Sequence, residues 1–381
     1  MSPASSSAAP RRLLLRGVNW LGDAVMTTPA LQRLREHFPD TRLTLLTAEK
    51  LAEIWAHYPN LDAVLTFAPG ESPWSVARRL RGEAFDAALL LPNSPRTALE
   101  VWLARIPRRI GYSRPWRDWW LTQTVGLPPG YAPMRKLSTK AVRRLADRLG
   151  ARPSEPGSGP TMHHLQLYLH LAAALGASSE PVAPRLVVQD GEMRTAAARF
   201  GMDGKLLGQR PLLALNPGAE YGPAKRWPAD RFIAAARAVQ TRTQCVWLIL
   251  GGKTDVPVAR AIAAALRQPD SGPGSAGVLE VSGQTSLREL MALLKLCRVL
   301  LTNDSGPMHL AAALGTPVVV PFGSTSPELT GPGLPGDPRH HLLRANAPCS
   351  PCFRRECPID FRCMTAITVD LAVAAVLRAL A

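Results

Sequence analysis

Short, almost wholly apolar runs recur along the chain, each followed by a stretch with helical spacing of its apolar residues. The first run is Arg12–Arg16, three leucines between two arginines. It ends at Gly17, and a helical pattern covers residues 24–37. Strand-like runs return at 43–46, 64–67 and 86–91, with helical stretches at 73–81 and 97–105 between and after them. The alternation resumes in the second half. Strand-like runs at 212–215, 246–250, 279–281, 299–301 and 318–321 interleave with helical segments at 228–240, Val256–Arg267, 287–297 and 307–314. An Ala/Leu/Val-rich helix, Val369–Leu380, follows near the end. Strand and helix in alternation predict parallel sheets with helices on both faces.

With 381 residues the chain is too long for one ordinary core and suits two domains. Residues 151–160, rich in Pro, Gly and Ser, predict a surface insertion. A helix is expected at 163–175, and the Pro/Ser-rich segment 176–184 reads as a linker. The expected organisation is α/β: a disordered lead (1–11), an N-terminal Rossmann-like domain (12–180) and a C-terminal Rossmann-like domain (185–381), facing each other across a cleft. Ligands of such sheets bind beyond the carboxyl ends of the strands. No apolar run is long enough to span a bilayer. The leucines at 13–15, interrupted by Arg16, fall short of a signal-peptide core. A cytoplasmic location is therefore expected.

Charge adds a partner to this picture. The net charge is +16, and residues 101–150 hold eleven Lys and Arg against Asp118 and Asp147, nine of the sixteen net positive charges. A solvated basic surface is one reading. A localised excess also suits an anionic partner, whether nucleic acid, phospholipid headgroups or a phosphorylated glycolipid. No nucleic-acid reading motif accompanies the charge, so nucleic acid is not the expected partner.

Three stretches carry candidate chemistry. In Thr302-Asn-Asp-Ser-Gly-Pro-Met-His309 a strand ends, Ser305 and Gly306 turn, and Pro307 suits a first helical position. The free N–H groups of that helix start attract phosphate, with His309 in the first turn; a helix merely capped by Asp304 is the alternative. Asn216-Pro-Gly-Ala-Glu-Tyr-Gly-Pro-Ala-Lys-Arg-Trp-Pro228 also follows a strand, and Lys225 there could reach a pyrophosphate. Asn19-Trp-Leu-Gly-Asp23 precedes a helix. Asp23 either caps that helix or acts as the general base an inverting transferase needs.

These stretches, with Leu91-Pro-Asn-Ser94, resemble glycosyltransferase family 9, and within it most nearly its lipopolysaccharide heptosyltransferases of type II. Residues 218–228 are the most specific part, and the similarity runs from about Arg12 to the C-terminus, excepting 151–160. The resemblance implies the GT-B glycosyltransferase fold, with the acceptor on the N-terminal domain and the sugar nucleotide on the C-terminal one. It implies inverting transfer of L-glycero-D-manno-heptose from ADP-heptose to a heptosylated Kdo2-lipid A, with no metal and no catalytic cofactor. It places the enzyme peripherally at the inner face of the inner membrane, on an anionic surface. By position, Asp23 matches the catalytic base. Gly218, Lys225, Asp304, Ser305, Gly306 and His309 match the donor side, and Asn19, Trp20, Asn93 and Arg96 the acceptor side. The chain lacks an Asp-x-Asp metal anchor, so protein groups must offset the leaving-group charge.

Alternatives remain at the level of sequence: a family 9 transferase of type I or III, or a two-Rossmann sugar-nucleotide epimerase. Cys349, Cys352, Cys357 and Cys363 form a cluster spaced by two, four and five residues. They read as a structural zinc site, an iron–sulfur site or packed reduced thiols. Trp116, Trp119 and Trp120, among Arg114 and Arg117, suit sugar or membrane-interface contact, or plain packing. The pair His163-His164 suggests no role.

Overall fold

The computed structural model describes residues 9–131, 134–147, 162–202, 210–268 and 277–381. The expected insertion at 151–160 and the first eight residues of the lead lie outside them. The described chain divides into two compact units. The first holds residues 9–131 and 164–184, and the second holds 134–147, 162–163 and the described part of 185–381.

The first unit is a parallel sheet of β1 (Arg12–Arg16), β2 (Arg42–Ala48), β3 (Ala63–Phe67), β4 (Ala87–Leu90), β5 (Arg108–Tyr112) and β6 (Gln123–Val125), in the order β3-β2-β1-β4-β5-β6. Leu13, Leu14 and Leu15 are fully buried because β1 is paired on both sides, with Leu13 opposite Leu43 and Ala87. A strand sealed on both faces reads as a continuous apolar run, which is why β1 is so legible. The chain order reverses beside β1, so the carboxyl ends of β1 and β4 flank the crevice where doubly wound sheets bind ligands.

The second unit repeats the plan with β7 (Leu212–Asn216), β8 (Val246–Ile249), β9 (Val278–Glu280), β10 (Val299–Thr302), β11 (Val318–Phe322) and β12 (His341–Arg344). Their order is β12-β11-β10-β7-β8-β9, so the same reversal lies between β7 and β10. Its core gathers Phe232, Trp247, Ile262 and Leu301, all fully buried.

Three strands escape the sequence pattern. β5 opens with two arginines; Arg109 is held there by bonds to the carbonyls of Trp120 (2.6 Å) and Ile106 (2.6 Å). β6 and β12 are edge strands of three and four residues, too short to show a pattern. The helix expected at 24–37 is two helices, α1 (Leu21–Met26) and α2 (Thr28–His37). Pro29 lacks the N–H that would bond the Val25 carbonyl; the Thr28 hydroxyl takes that carbonyl instead (2.8 Å).

The lead is shorter than expected: the carbonyls of Pro10 and Arg11 already accept from Thr41 (2.6 Å) and Arg42 (2.9 Å). The first unit includes α3 (Pro73–Gly82), α4 (Pro95–Leu103) and, after an excursion, α6 (His164–Ala173). The excursion, carrying α5 (Thr139–Ala146), packs on the second unit rather than extending the first without a break to 180. Leu137 N–H donates to the Cys352 carbonyl (3.0 Å), Arg362 donates to the Ala146 carbonyl (2.9 Å), and Val142 packs against Cys349 and Cys352. The far boundary, between Pro184 and Arg185, falls at the end of the expected linker.

Candidate active site

In the first unit the turn after β1 delivers Asn19, Trp20 and Asp23 to the reversal point. Trp20 occupies the cap position of α1, and its side chain makes no capping bond. Asp23 sits in the first turn and is turned toward α6 instead: its Oδ1 lies 3.8 Å from His164 Nδ1, with the side chain 29% exposed. Tyr168, one turn along α6, also faces the Asp23 carboxylate. Burial first, and then this neighbouring negative charge, hold its phenol well above the usual range. His164, given no role in the sequence, is therefore a neighbour of the candidate base. Its spacing of four from Tyr168 was the available signal, because such residues share a helix face.

Behind the turn lies an ion pair the sequence did not suggest. Arg16 and Glu100, 1% and 0% exposed at the side chain, meet at 2.8 Å, and Arg16 also donates to the Gly17 carbonyl (2.7 Å). Burial pulls the Arg16 pKa down against the opposing attraction of Glu100. Arg96, matched by resemblance to the acceptor side, is bonded to the same Glu100 (2.9 Å). Asn93 is exposed and accepts from Arg117 (3.4 Å).

In the second unit the loops after β7 and β10 interlock. Asn303, fully buried, donates to the Pro217 carbonyl (2.7 Å) and accepts from the Trp227 N–H (2.9 Å), so one amide fixes both ends of the 217–227 loop. Two glycines permit the loop's path. A side chain at Gly218 would strike the Asp255 carboxylate, and Gly222, at φ +145°, faces the Arg355 carbonyl.

Lys225, in a short turn at Pro223–Lys225, reaches Asp304 rather than solvent. Its Nζ lies 2.6 Å from Asp304 Oδ2, with the side chains 13% and 5% exposed. Asp304 also accepts from the Thr325 hydroxyl (2.5 Å). Asp304 is thus engaged with Lys225 and Thr325, not spent on capping the helix Gly306–Ala313. The Ser305 hydroxyl does not cap that helix either, lying near Thr302 (3.3 Å) and Asn216 (3.4 Å). His309 is buried, near the end of the first turn. The structure therefore gathers Gly218, Lys225, Asp304, Ser305 and Gly306 around one helix start. Thr325 and Asn216, which sequence reasoning passed over, support them.

The cysteine cluster, read from the sequence as a zinc site, an iron–sulfur site or packed thiols, lies in the second unit. Among the described residues, no three His, Cys, Asp or Glu side chains are grouped to hold a metal ion. Cys349 and Cys352 are buried beside Val142, with Leu137, Leu145 and Ile359 around them. Burial, and then the neighbouring thiols, raise Cys349 and Cys352 and push Cys363 up to about 12. Among the described residues, no helix is long and apolar enough to cross a membrane.

The sequence profile of glycosyltransferase family 9 (heptosyltransferase) matches residues 156–361. The chain is 27% identical over 325 residues to lipooligosaccharide heptosyltransferase 2 of Haemophilus influenzae, covering 84% of this chain and 85% of that one. It is 27% identical over 327 residues to lipopolysaccharide heptosyltransferase 2 of Escherichia coli, with the same coverage. The structure of E. coli ADP-heptose lps heptosyltransferase II superposes with a TM-score of 0.74 at 24% identity, over 97% of this chain and 98% of that one.

Proposed function

The chain belongs to glycosyltransferase family 9, and from that premise we propose that it transfers L-glycero-D-manno-heptose from ADP-heptose to a heptose of the lipopolysaccharide inner core, as a type II heptosyltransferase. The fold is GT-B, and the protein is a glycosyltransferase. The observation that carries the reading is the cluster at the β7/β10 reversal. There a cation, Lys225, is held by Asp304 beside a helix start that neither Asp304 nor Ser305 caps. A diphosphate suits such a place, because backbone N–H groups, helix dipole and ammonium all favour negative charge.

In this reading the second unit binds ADP-heptose, with Ser305 and Gly306 donating backbone N–H groups and Lys225 countering the diphosphate charge. Asp304 and Thr325 aim Lys225, and Gly218 leaves room for the loop to close on the phosphates. Asp23 takes the proton from the acceptor hydroxyl as its oxygen attacks the anomeric carbon and ADP departs with the bonding pair, inverting that centre. The charge growing on ADP is met by groups already in position, which is where electrostatic catalysis gains most. That Asp23 is not spent as a helix cap, and lies beside His164 and Tyr168, supports its part. No metal enters these steps. The localised positive charge of residues 101–150 supports an anionic acceptor, the heptosylated Kdo2-lipid A, at the inner face of the inner membrane.

The test is incubation with ADP-heptose and truncated acceptors, read by mass spectrometry. One heptose added to heptosylated Kdo2-lipid A, with release of ADP, is expected. Addition only to an acceptor lacking heptose, or an epimerised sugar with no transfer, would overturn the assignment.

A further inference from the structure

Four tryptophans of the first unit lie in segments that follow strand carboxyl ends: Trp20 after β1, Trp74 after β3, and Trp116 and Trp119 after β5. All six strands are parallel, so those ends share one edge of the sheet. The topology thus brings four indoles to the edge that carries Asp23 and Asn93. They are 45%, 66%, 81% and 88% exposed, in the order given. From β3 to β5 is four strand spacings, roughly 19 Å. The indoles are therefore strung along the edge rather than gathered in one pocket.

The loop after β5 is built to hold its indoles outward. Asp118 ties it by accepting from the Ser113 hydroxyl (2.6 Å) and the Arg114 N–H (2.9 Å). Arg117 is wholly buried between the two exposed tryptophans and donates to the Pro92 carbonyl (2.9 Å). Burial lowers its pKa to about 10. Trp116 stands at φ +65°, a conformation that costs a bulky residue energy and is held by its surroundings. A rigid loop that spends stability to expose apolar surface points to a partner for that surface.

The charges beside the indoles say which partner. Lys50 Nζ lies 5.7 Å from the Trp20 ring centroid, Arg78 is exposed one helical turn from Trp74, and Arg114 precedes Trp116 in the β5 loop. Of the acids on this edge, Glu71 is engaged with Arg79 (3.0 Å) and Asp118 within its own loop, while Glu49, beside Lys50, is exposed. Exposed tryptophans with interspersed cations match the headgroup layer of an anionic bilayer, where indoles settle and phosphates attract Lys and Arg.

We propose that the carboxyl edge of the first unit's sheet is a bilayer-docking surface, with Trp74, Trp116 and Trp119 seated among anionic phospholipid headgroups. The proposal rests on the reading above of a lipid-anchored acceptor, and gives it a route. The acceptor presents its sugar at the edge that carries Asp23 while its acyl chains stay in the membrane. Stacking of the indoles on one glycan is the rival, and the spread of the four residues disfavours it.

The experiment uses the full chain and a variant carrying Trp74→Ser, Trp116→Asn and Trp119→Ser, asparagine being chosen because it tolerates positive φ. Flotation with phosphatidylcholine vesicles, with and without phosphatidylglycerol and free of any acceptor, measures docking alone. The wild type should float with the anionic vesicles and be released by salt, and the variant should partition at least about tenfold less. Transfer to a vesicle-embedded acceptor should fall with it, while transfer to a soluble de-acylated acceptor stays at the wild-type rate. Equal flotation of variant and wild type would overturn the proposal. So would an equal loss on both acceptors, which would assign the indoles to glycan stacking. Docking is read without sugar substrate, so this outcome stands apart from whether heptose is the sugar transferred.

Discussion

Replacing Lys225 by Met removes one half of a nearly buried ion pair. Lys225 Nζ meets Asp304 at 2.6 Å, and the carboxylate, 5% exposed at the side chain, keeps only the Thr325 hydroxyl once the ammonium is gone. Stranding a fully buried charge costs about 3–5 kcal/mol. Here the lysine side is 13% exposed and one hydrogen bond survives, so about 2–3 kcal/mol is the expected loss, read from urea unfolding. Lys225→Met combined with Asp304→Asn should be more stable than Lys225→Met alone, because no carboxylate is left stranded. If Lys225 counters the diphosphate as proposed, in ground and transition states alike, the same substitution should raise the donor KM and slow turnover. A stability loss below about 0.5 kcal/mol, or strict additivity in the double variant, would refute the claim that Asp304 holds Lys225 in place.

Glu100→Gln should destabilise by about 3–5 kcal/mol, because it leaves the buried Arg16 guanidinium without its counter-charge; urea unfolding within about 1 kcal/mol of wild type would contradict this. His340 is buried, and burial lowers its imidazole pKa from 6.5 to about 4. The unfolded chain then takes up a proton that the folded chain refuses. Stability should be complete above pH 6.5 and fall as pH drops toward 4, by up to about 3 kcal/mol, and His340→Gln should flatten that slope in pH-dependent unfolding. Metal analysis of protein purified in reductant without chelator should find well under one zinc per chain, and a chelator should leave the melting temperature unchanged; about one tightly held metal would restore the ligand reading of the four cysteines.

The sheet interiors and the turns at the strand ends were legible because they are local. Leu13 to Leu15 form an apolar run because strands cover β1 on both sides. The turns around Asp23, Lys225 and Ser305 announce themselves through Gly, Pro and Asn at strand ends. What stayed hidden is long-range pairing. Arg16 and Glu100 are 84 residues apart, and the Arg354 bond to the Leu137 carbonyl spans 217. Neither leaves a local trace, so the sequence does not show that α5 packs with the second unit or that Arg96 bonds Glu100. Lys225 and Asp304 both match donor positions by resemblance, yet nothing in their own segments says they bind each other. The cysteine spacing suits ligands or packed thiols, and it could not show that Val142, about 210 residues away, packs against Cys349 and Cys352.

The central claim is that Asp23 is the base of an inverting heptose transfer, and single-turnover kinetics of Asp23→Asn against wild type tests it most directly. ADP-heptose and heptosylated Kdo2-lipid A are mixed with excess enzyme, and product linkage is read by NMR. The account predicts wild-type product with the anomeric configuration opposite to the donor. It predicts transfer slowed on the order of 10²–10⁴-fold in the variant, with donor affinity and unfolding midpoint nearly unchanged, since Asp23 makes no cap. Transfer at a near-wild-type rate by Asp23→Asn, or retention of configuration by the wild type, would contradict it.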